Sequence, residues 1–453
     1  MKTGTVNNKF MLSNIRLDGK FHLSEGLEVR KTIAQSPYGY CTIGDVTSDI
    51  YCPGIFHRNY TNSGIPFLGG GDIQKADYDS GKYLRAKTTP NHEILKIKKG
   101  WTLVTYGGTI GDAVFANNLL AKCWVSQHVM RVIPSTIKEG MLFAYLASKQ
   151  GHLLLTTNTY GSVIPTLNAS NIESLPIPYF PAEFQQQIDD LIQESAVLRE
   201  QATEALENAK EKLEEWINVE FEKHYFQTAF VSSKNILSSL KHRIDPPALM
   251  NDGVKTMEKV MNRMDYTTIG EIKGKVFRPG IFKRNYVENG IPYIKGSEIF
   301  LTNPFRRCDH LSRTRTPFIE EMSMKEGQIL ITCAGSVGDI KIITKEYEEK
   351  GAIGSQDIIR LESSDELYTK EYMFVYLQLP FVNDYIQSMK YGSVIERIEP
   401  FHVESIPVVK PTKEISDEIT SLIQTYMNST YRAFYAEEKA ITIVEQEIEK
   451  WNN

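Results

Sequence analysis

Cysteine is sparse and scattered: the chain of 453 residues has five, at positions 41, 52, 123, 308 and 333. None forms a Cys-x-x-Cys pair and the number is odd, so neither a disulfide framework nor a structural zinc site is expected. Such usage predicts the reducing cytoplasm. Runs of 18 or more apolar residues are missing, which excludes the ordinary transmembrane helix and with it a membrane partner. The first 20 residues lack an apolar stretch followed by small residues, so no secretory leader is expected. The nine histidines show no His-Glu-x-x-His or similar metal spacing. Gly69-Gly70-Gly71 is not followed by Gly-Lys-Ser/Thr and is not a phosphate-binding loop.

What the chain does contain is one large internal repeat. Residues 42–73 read TIGDVTSDIYCPGIFHRNYTNSGIPFLGGGDI, and residues 268–299 read TIGEIKGKVFRPGIFKRNYVENGIPYIKGSEI. They align without a gap at an offset of 226 positions, with PGIF, RNY and GIP in register. Downstream, Gly100, Gly108, Gly111 and Asp112 match Gly327, Gly335, Gly338 and Asp339. Ser126-Gln127 matches Ser355-Gln356, and Tyr160-Gly161-Ser162-Val163-Ile164 matches Tyr391-Gly392-Ser393-Val394-Ile395. Upstream, Arg16-Leu17-Asp18 aligns with Arg243-Ile244-Asp245. The period is too long for a solenoid, so the chain is two copies of a whole module. Either this is a duplication without functional symmetry, or both copies do the same job on a pseudo-symmetric target.

Each module changes character partway. Its first part is rich in glycine, proline and β-branched residues, with strand-like runs such as ILKIKKGWTLVTYGG and SMKEGQILITCAG and short helices at MLFAYLASKQG and YMFVYLQL. This predicts a mixed, mostly β domain. Its second part, after LPIPYFP, contains no glycine or proline over residues 182–222. An apolar stripe runs through Ile188, Leu191, Ser195, Leu198, Ala202, Leu206, Ala209, Leu213 and Trp216, in steps of three or four, which is one face of a helix. Ser195 is its polar weak point. The second copy repeats the stripe through Ile415, Ile419, Leu422, Tyr426, Phe434, Ile441, Val444, Ile448 and Trp451, with Thr430 and Glu437 where apolar residues are expected. About 40 residues at 1.5 Å each make a rod of roughly 60 Å. Two such rods most simply bury their stripes against each other as an intramolecular coiled coil, or against another protein.

Charge follows the same division. Residues 1–180 hold 18 Lys/Arg against 12 Asp/Glu, whereas residues 181–225 hold 4 against 12. Residues 226–410 hold 25 against 24, and residues 411–453 hold 4 against 8. The acidic helices are unsuited to lie along phosphates, and the globular parts carry whatever nucleic-acid surface exists.

Among motifs with chemistry, Asp245-Pro246-Pro247-Ala248 resembles the catalytic loop of amino-methyltransferases but has alanine where an aromatic must stack on the flipped base. It reads as a turn or helix start, and no catalytic residues are assigned. Arg58-Asn59-Tyr60 and Arg284-Asn285-Tyr286 are shared by the copies. Arg suits a phosphate or a guanine edge and Asn an adenine edge, but residues common to both copies are better suited to fix a turn or grip the backbone. Residues that differ should read sequence if the half-targets differ. Those are Lys75, Tyr78, Lys82, Tyr83, Arg85 and Lys87 in the first copy, and Arg306, Arg307, His310, Arg313 and Arg315 in the second. The same segments would serve equally as a solvated charged surface.

The order of recognition module, long helix, recognition module, long helix resembles the specificity subunit of type I restriction-modification systems. The carrying features are the GIP-x-x-x-G segments at 64–70 and 290–296, the G-x-x-G-D turns, the paired Ser-Gln and the proline-led helices. Pro181 with Gln185 fits the family's helix opening; Pro411 is followed by Ile415 instead of glutamine. The resemblance implies an α+β architecture: two pseudo-symmetric mixed, mostly β recognition domains (residues 1–180 and 226–410) joined by two long antiparallel coiled-coil helices (181–225 and 411–453). It implies a non-catalytic subunit that reads a bipartite double-stranded DNA target and docks two adenine methyltransferase subunits and restriction subunits. S-adenosylmethionine, ATP and magnesium would belong to those partners, and no cofactor to this chain. Half-sites about one helical turn apart, roughly 34–36 Å, are favoured by two reading heads at fixed separation. The competing expectation is a protein-interaction scaffold without base reading, which salt-dependent specific DNA binding would exclude.

Overall fold

The computed structural model describes residue 22 and residues 24–107, 110–157, 167–224, 232–233 and 250–452. Arg16-Leu17-Asp18, Arg243-Ile244-Asp245, the Asp-Pro-Pro-Ala segment and Tyr160 to Ile164 lie outside the described residues. The chain divides into two compact units, one of residues 1–200 and 432–453, the other of residues 201–431.

The repeated sequence builds the same topology in each. In the first unit a four-stranded antiparallel sheet has the order Thr47–Tyr51, Val129–Pro134, Thr102–Thr105, Ala113–Phe115. A three-stranded sheet places Ile65–Leu68 between Tyr83–Leu84 and Trp124–Val125, antiparallel to the former and parallel to the latter. A two-stranded ribbon joins Tyr40–Thr42 to Pro176–Pro178. In the second unit the counterparts run Gly274–Phe277, Ile358–Ser363, Ile329–Thr332, Ile340–Ile342; then Asp309–Leu311, Tyr286–Ile294, Ile353–Gly354; then Tyr266–Thr268 with Pro407–Val409.

The shared glycines explain two of these features. A Cβ on Gly64 would stand 2.5 Å from the carbonyl oxygen of Leu84, and one on Gly290 2.3 Å from that of Leu311, so the GIP segment pairs only without a side chain there. Gly111 and Gly338 take φ of +84° and +90° in the turn that reverses the chain between two sheet strands, a conformation that L side chains resist. Each ribbon is pinned by a buried tyrosine: Tyr145 donates to the Pro176 carbonyl and Tyr376, 2.9 Å away, to that of Pro407.

Helices share the globular parts with the sheets, so these are mixed α/β and not mostly β as the glycine and proline content suggested. The apolar segments after position 138 and position 369 form the helix pairs Glu139–Ala147 with Lys149–Thr157, and Lys370–Gln378 with Pro380–Ser388. Their residues join the sheets in the main core of each unit. Amphipathic helices Glu25–Ala34 and Asp252–Met261 cover the second member of each pair.

The striped segments form helices Ala182–Ile217 (36 residues) and Lys413–Glu449 (37 residues). The first ends at Asn218, whose φ of +47° is a left-handed helix stop. Within the first unit the two run in opposite directions: the Phe180 ring lies 6.0 Å from Trp451, and the Ser195 hydroxyl donates to the Ala433 carbonyl at 2.8 Å. Within the second unit Lys212 pairs with Glu418 at 3.0 Å. Two of the three polar interruptions of the stripes are thereby paired, since Glu437 is buried against Arg199 at 3.0 Å. Among the described residues no helix is long and apolar enough to cross a membrane.

Candidate nucleic-acid interface

The Ser-Gln turns are the best-built loops of both units. Each is held from within by a wholly buried arginine four residues beyond the glutamine. Arg131 donates through Nη1 to the carbonyls of Ser126 (2.9 Å) and Val129 (2.7 Å), and through Nη2 to those of Val125 (2.5 Å) and Leu95 (3.3 Å). Arg360 does the same with Ser355 (3.4 Å), Ile358 (2.9 Å), Gly354 (3.1 Å) and Met322 (3.3 Å). Burial pushes both guanidinium pKa values down to about 10. They remain charged at neutral pH because carbonyl dipoles replace the missing water. The sequence reading missed this pair, although extending the Ser-Gln alignment by four residues would have found it.

On the outer side of the turn stands the arginine of the RNY motif. Arg58 Nη2 donates to Gln127 Oε1 at 2.7 Å, and its guanidinium lies 5.6 Å from the Phe67 ring centroid. Arg284 Nη2 donates to Gln356 Oε1 at 3.0 Å, and its Nε donates to the hydroxyl of Tyr293, the counterpart of Phe67, at 2.8 Å. That hydroxyl raises the Arg284 pKa above its ordinary value. The glutamine amide then reaches the next residue: Gln127 Nε2 is 3.1 Å from His128 Nε2, and Gln356 Nε2 donates to Asp357 Oδ2 at 3.2 Å. His128 and Asp357 are both exposed.

Other shared loops meet at the same place. In the second unit Arg278 pairs with Glu399 at 3.3 Å and approaches the Cys333 sulfur at 3.9 Å, while the Tyr391 hydroxyl donates to Glu399 at 2.7 Å. In the first unit the counterpart of Arg278 is Cys52, whose thiol faces the carbonyls of Gln127 and Val129. Burial pushes the Cys52 and Cys333 thiols up, which suits packing and not nucleophilic work. Between these contacts the PGIF loops expose an isoleucine in each unit, Ile55 at 92% and Ile281 at 80%.

The remaining sequence-selected residues spread around this centre. Asn59 is exposed, and Tyr60 leans on the Phe67 ring at 6.1 Å. Asn285 donates to the carbonyls of Lys283 and Arg315, both at 3.3 Å, and the exposed Tyr286 opens the strand Tyr286–Ile294. Lys75 is paired with Asp72 at 3.0 Å. Tyr78 is not presented by a basic loop: it packs on a small apolar cluster, and burial pushes its phenol pKa up to about 12 despite the nearby Arg199. Tyr83 donates to Asp79 at 2.7 Å, and Arg85 to the Ser63 carbonyl at 3.2 Å and hydroxyl at 3.0 Å. Lys82, Lys87, Arg307, Arg313 and Arg315 are exposed, whereas Arg306 and His310 are half-buried. Among the described residues no group of three or more His, Cys, Asp or Glu could hold a metal ion.

Several solved structures are similar to this chain. The S subunit of a type I restriction-modification system from M. genitalium shares 14% identity at a TM-score of 0.36, covering 91% of this chain and 95% of its own. The HsdS subunit from Thermoanaerobacter tengcongensis shares 13% at 0.27, covering 92% and 98%. No curated protein matches at a significant level. The family described as type I restriction modification DNA specificity domain matches twice, over residues 41–209 and 264–437. The chain therefore belongs to the type I restriction-modification DNA specificity family, whose members are non-catalytic specificity subunits.

Proposed function

We propose that this chain reads a bipartite double-stranded DNA target, one half with residues 1–180 and the other with residues 226–410, and that segments 181–225 and 411–453 form a coiled-coil spacer. In this reading it docks two adenine methyltransferase subunits, and restriction subunits in the complete complex. The methyltransferases flip the target base and bring S-adenosylmethionine; ATP and magnesium belong to the restriction subunits. The reading is supported above all by one observation: the family match falls on both copies of a loop-bearing unit built twice with the same topology. Arg58, Asn59, Tyr60, Arg284, Asn285 and Tyr286 would stiffen or grip. Lys75, Lys82, Arg85 and Lys87 would supply positive charge and Tyr83 a hydroxyl toward one half-site, and Arg306, Arg307, Arg313 and Arg315 positive charge toward the other.

The test is co-expression with a methyltransferase encoded beside it, followed by mapping of adenine methylation by long-read sequencing. The expected result is a bipartite motif with a fixed gap. A stable complex that methylates no defined motif would favour the scaffold reading instead.

A further inference from the structure

The rule that common residues frame and differing residues read can be applied inside the frame itself. At the centre of each unit an arginine, a glutamine and a buried arginine are the same, and one exposed side chain differs: His128 in the first unit, Asp357 in the second. We infer that these two side chains are base-reading groups, each aimed by its Arg–Gln pair, and that they present opposite hydrogen-bonding character to the two half-sites. The inference rests on the DNA-reading function proposed above.

The geometry fixes that character. Gln127 Oε1 accepts from Arg58, so the other end of the amide, Nε2, is the donor toward His128 Nε2. His128 Nε2 is therefore the acceptor, and the neutral ring carries its proton on Nδ1. Gly107 lies beside that atom, where a Cβ would already be in contact with Nδ1 at 3.5 Å and the glycine has none. The first unit thus offers an N–H donor, which suits the N7 or O6 acceptors of guanine in the major groove. In the second unit Gln356 Oε1 accepts from Arg284, and its Nε2 occupies only one oxygen of Asp357. The Asp357 side chain is half exposed and 4.0 Å from the Arg284 guanidinium. A carboxylate offers only acceptors, which suits the N4 amine of cytosine. Both side chains are short and tied to a turn whose own backbone is bonded to a buried arginine, so little conformational freedom is lost on meeting a base.

The surrounding differences point the same way. Cys52 and Tyr106 of the first unit stand where Arg278 and Cys333 stand in the second, within the same shared loops. Cys52, Tyr106 and Arg278 are half-buried and Cys333 is buried, so chemistry changes at matched positions of the same loops in addition to the exposed pair.

The experiment uses the full chain in complex with its methyltransferase, with methylation motifs mapped for the native protein, Asp357→Asn, His128→Gln and the exchanged pair Asp357→His and His128→Asp. Asp357→Asn should relax or change the preferred base at one position of one half-site, lowering discrimination there roughly tenfold, and leave the other half unchanged. His128→Gln should do the same in the other half, and each exchanged variant should alter its own half only. A bipartite motif for the native chain with identical motifs and rates for all variants overturns this inference alone. No motif for the native chain overturns the DNA-reading function itself. Loss of complex formation on size-exclusion chromatography, with melting unchanged, assigns these residues to partner docking and also overturns the inference. Gln127→Glu and Gln356→Glu guard against a folding artefact: they keep the acceptor for arginine but remove the amide donor, and should blur the same single positions.

Discussion

Arg131 and Arg360 show how much a single buried charge can organise. Each donates to four backbone carbonyls of the interior. Arg360→Met is close in length but offers no donor, and each stranded carbonyl costs about 1–3 kcal/mol. Denaturant unfolding should therefore report a loss of at least about 3 kcal/mol, larger than for Arg58→Met, which removes one side-chain hydrogen bond to Gln127 and no bond to a backbone carbonyl. A second residue-level test concerns the capping boxes of the repeat, where Asp45 binds Thr42 and Glu271 binds Thr267 and Thr268. These bonds hold both carboxyls below their ordinary values. A carboxylate with a depressed folded pKa stabilises above its unfolded pKa of about 4, and that contribution is lost as pH falls through the lower folded value. NMR titration should find both groups titrating below free aspartate and glutamate, and Thr42→Ala and Thr267→Val should return them toward normal.

At the scale of elements, the long helices combine a readable pattern with three deviations from it, at Ser195, Thr430 and Glu437. The stripes locate the helices, and two of the polar interruptions are paired, Ser195 with a backbone carbonyl and Glu437 with Arg199. Arg199 and Glu437 side chains are only 15% and 10% exposed. Arg199→Ala leaves a buried carboxylate without its partner and should cost about 3–5 kcal/mol, whereas the double change Arg199→Met with Glu437→Leu should recover most of it. Thermal melting of the three variants distinguishes the two cases. Next to the half-buried Leu422 of the other stripe, Ile423 is fully buried. Ile423→Asp should accordingly lower the melting temperature more than Leu422→Asp, since a charge is costlier the less water it retains.

For the whole molecule, duplication predicts modularity. Two units with separate cores should accept changes independently. Arg306→Ala with Arg307→Ala removes positive charge from one unit and should weaken or relax recognition of one half-site, leaving the other half of the methylation motif intact. Equal loss of preference in both halves would count against independent readers.

The sequence by itself determined the duplication, the two long helices and the family. These are written as identities in register and as three-to-four spacing, which survive without knowledge of folding. The short helices Glu139–Ala147 and Lys370–Gln378 show in the sequence as apolar segments, whereas Glu25–Ala34 and Asp252–Met261 add helix that the strand-like runs did not announce. Tertiary structure alone decided the centre of each unit. Arg58 and Gln127 are 69 residues apart, and Arg284 and Gln356 are 72 apart, so no local pattern announces that they touch. It also took Tyr78 out of the basic loop and onto an apolar cluster. Periodicity reports which face of an element is buried, but which loop meets which is set by how strands pair across the sheet, and there the Ser-Gln turn and the RNY arginine become neighbours.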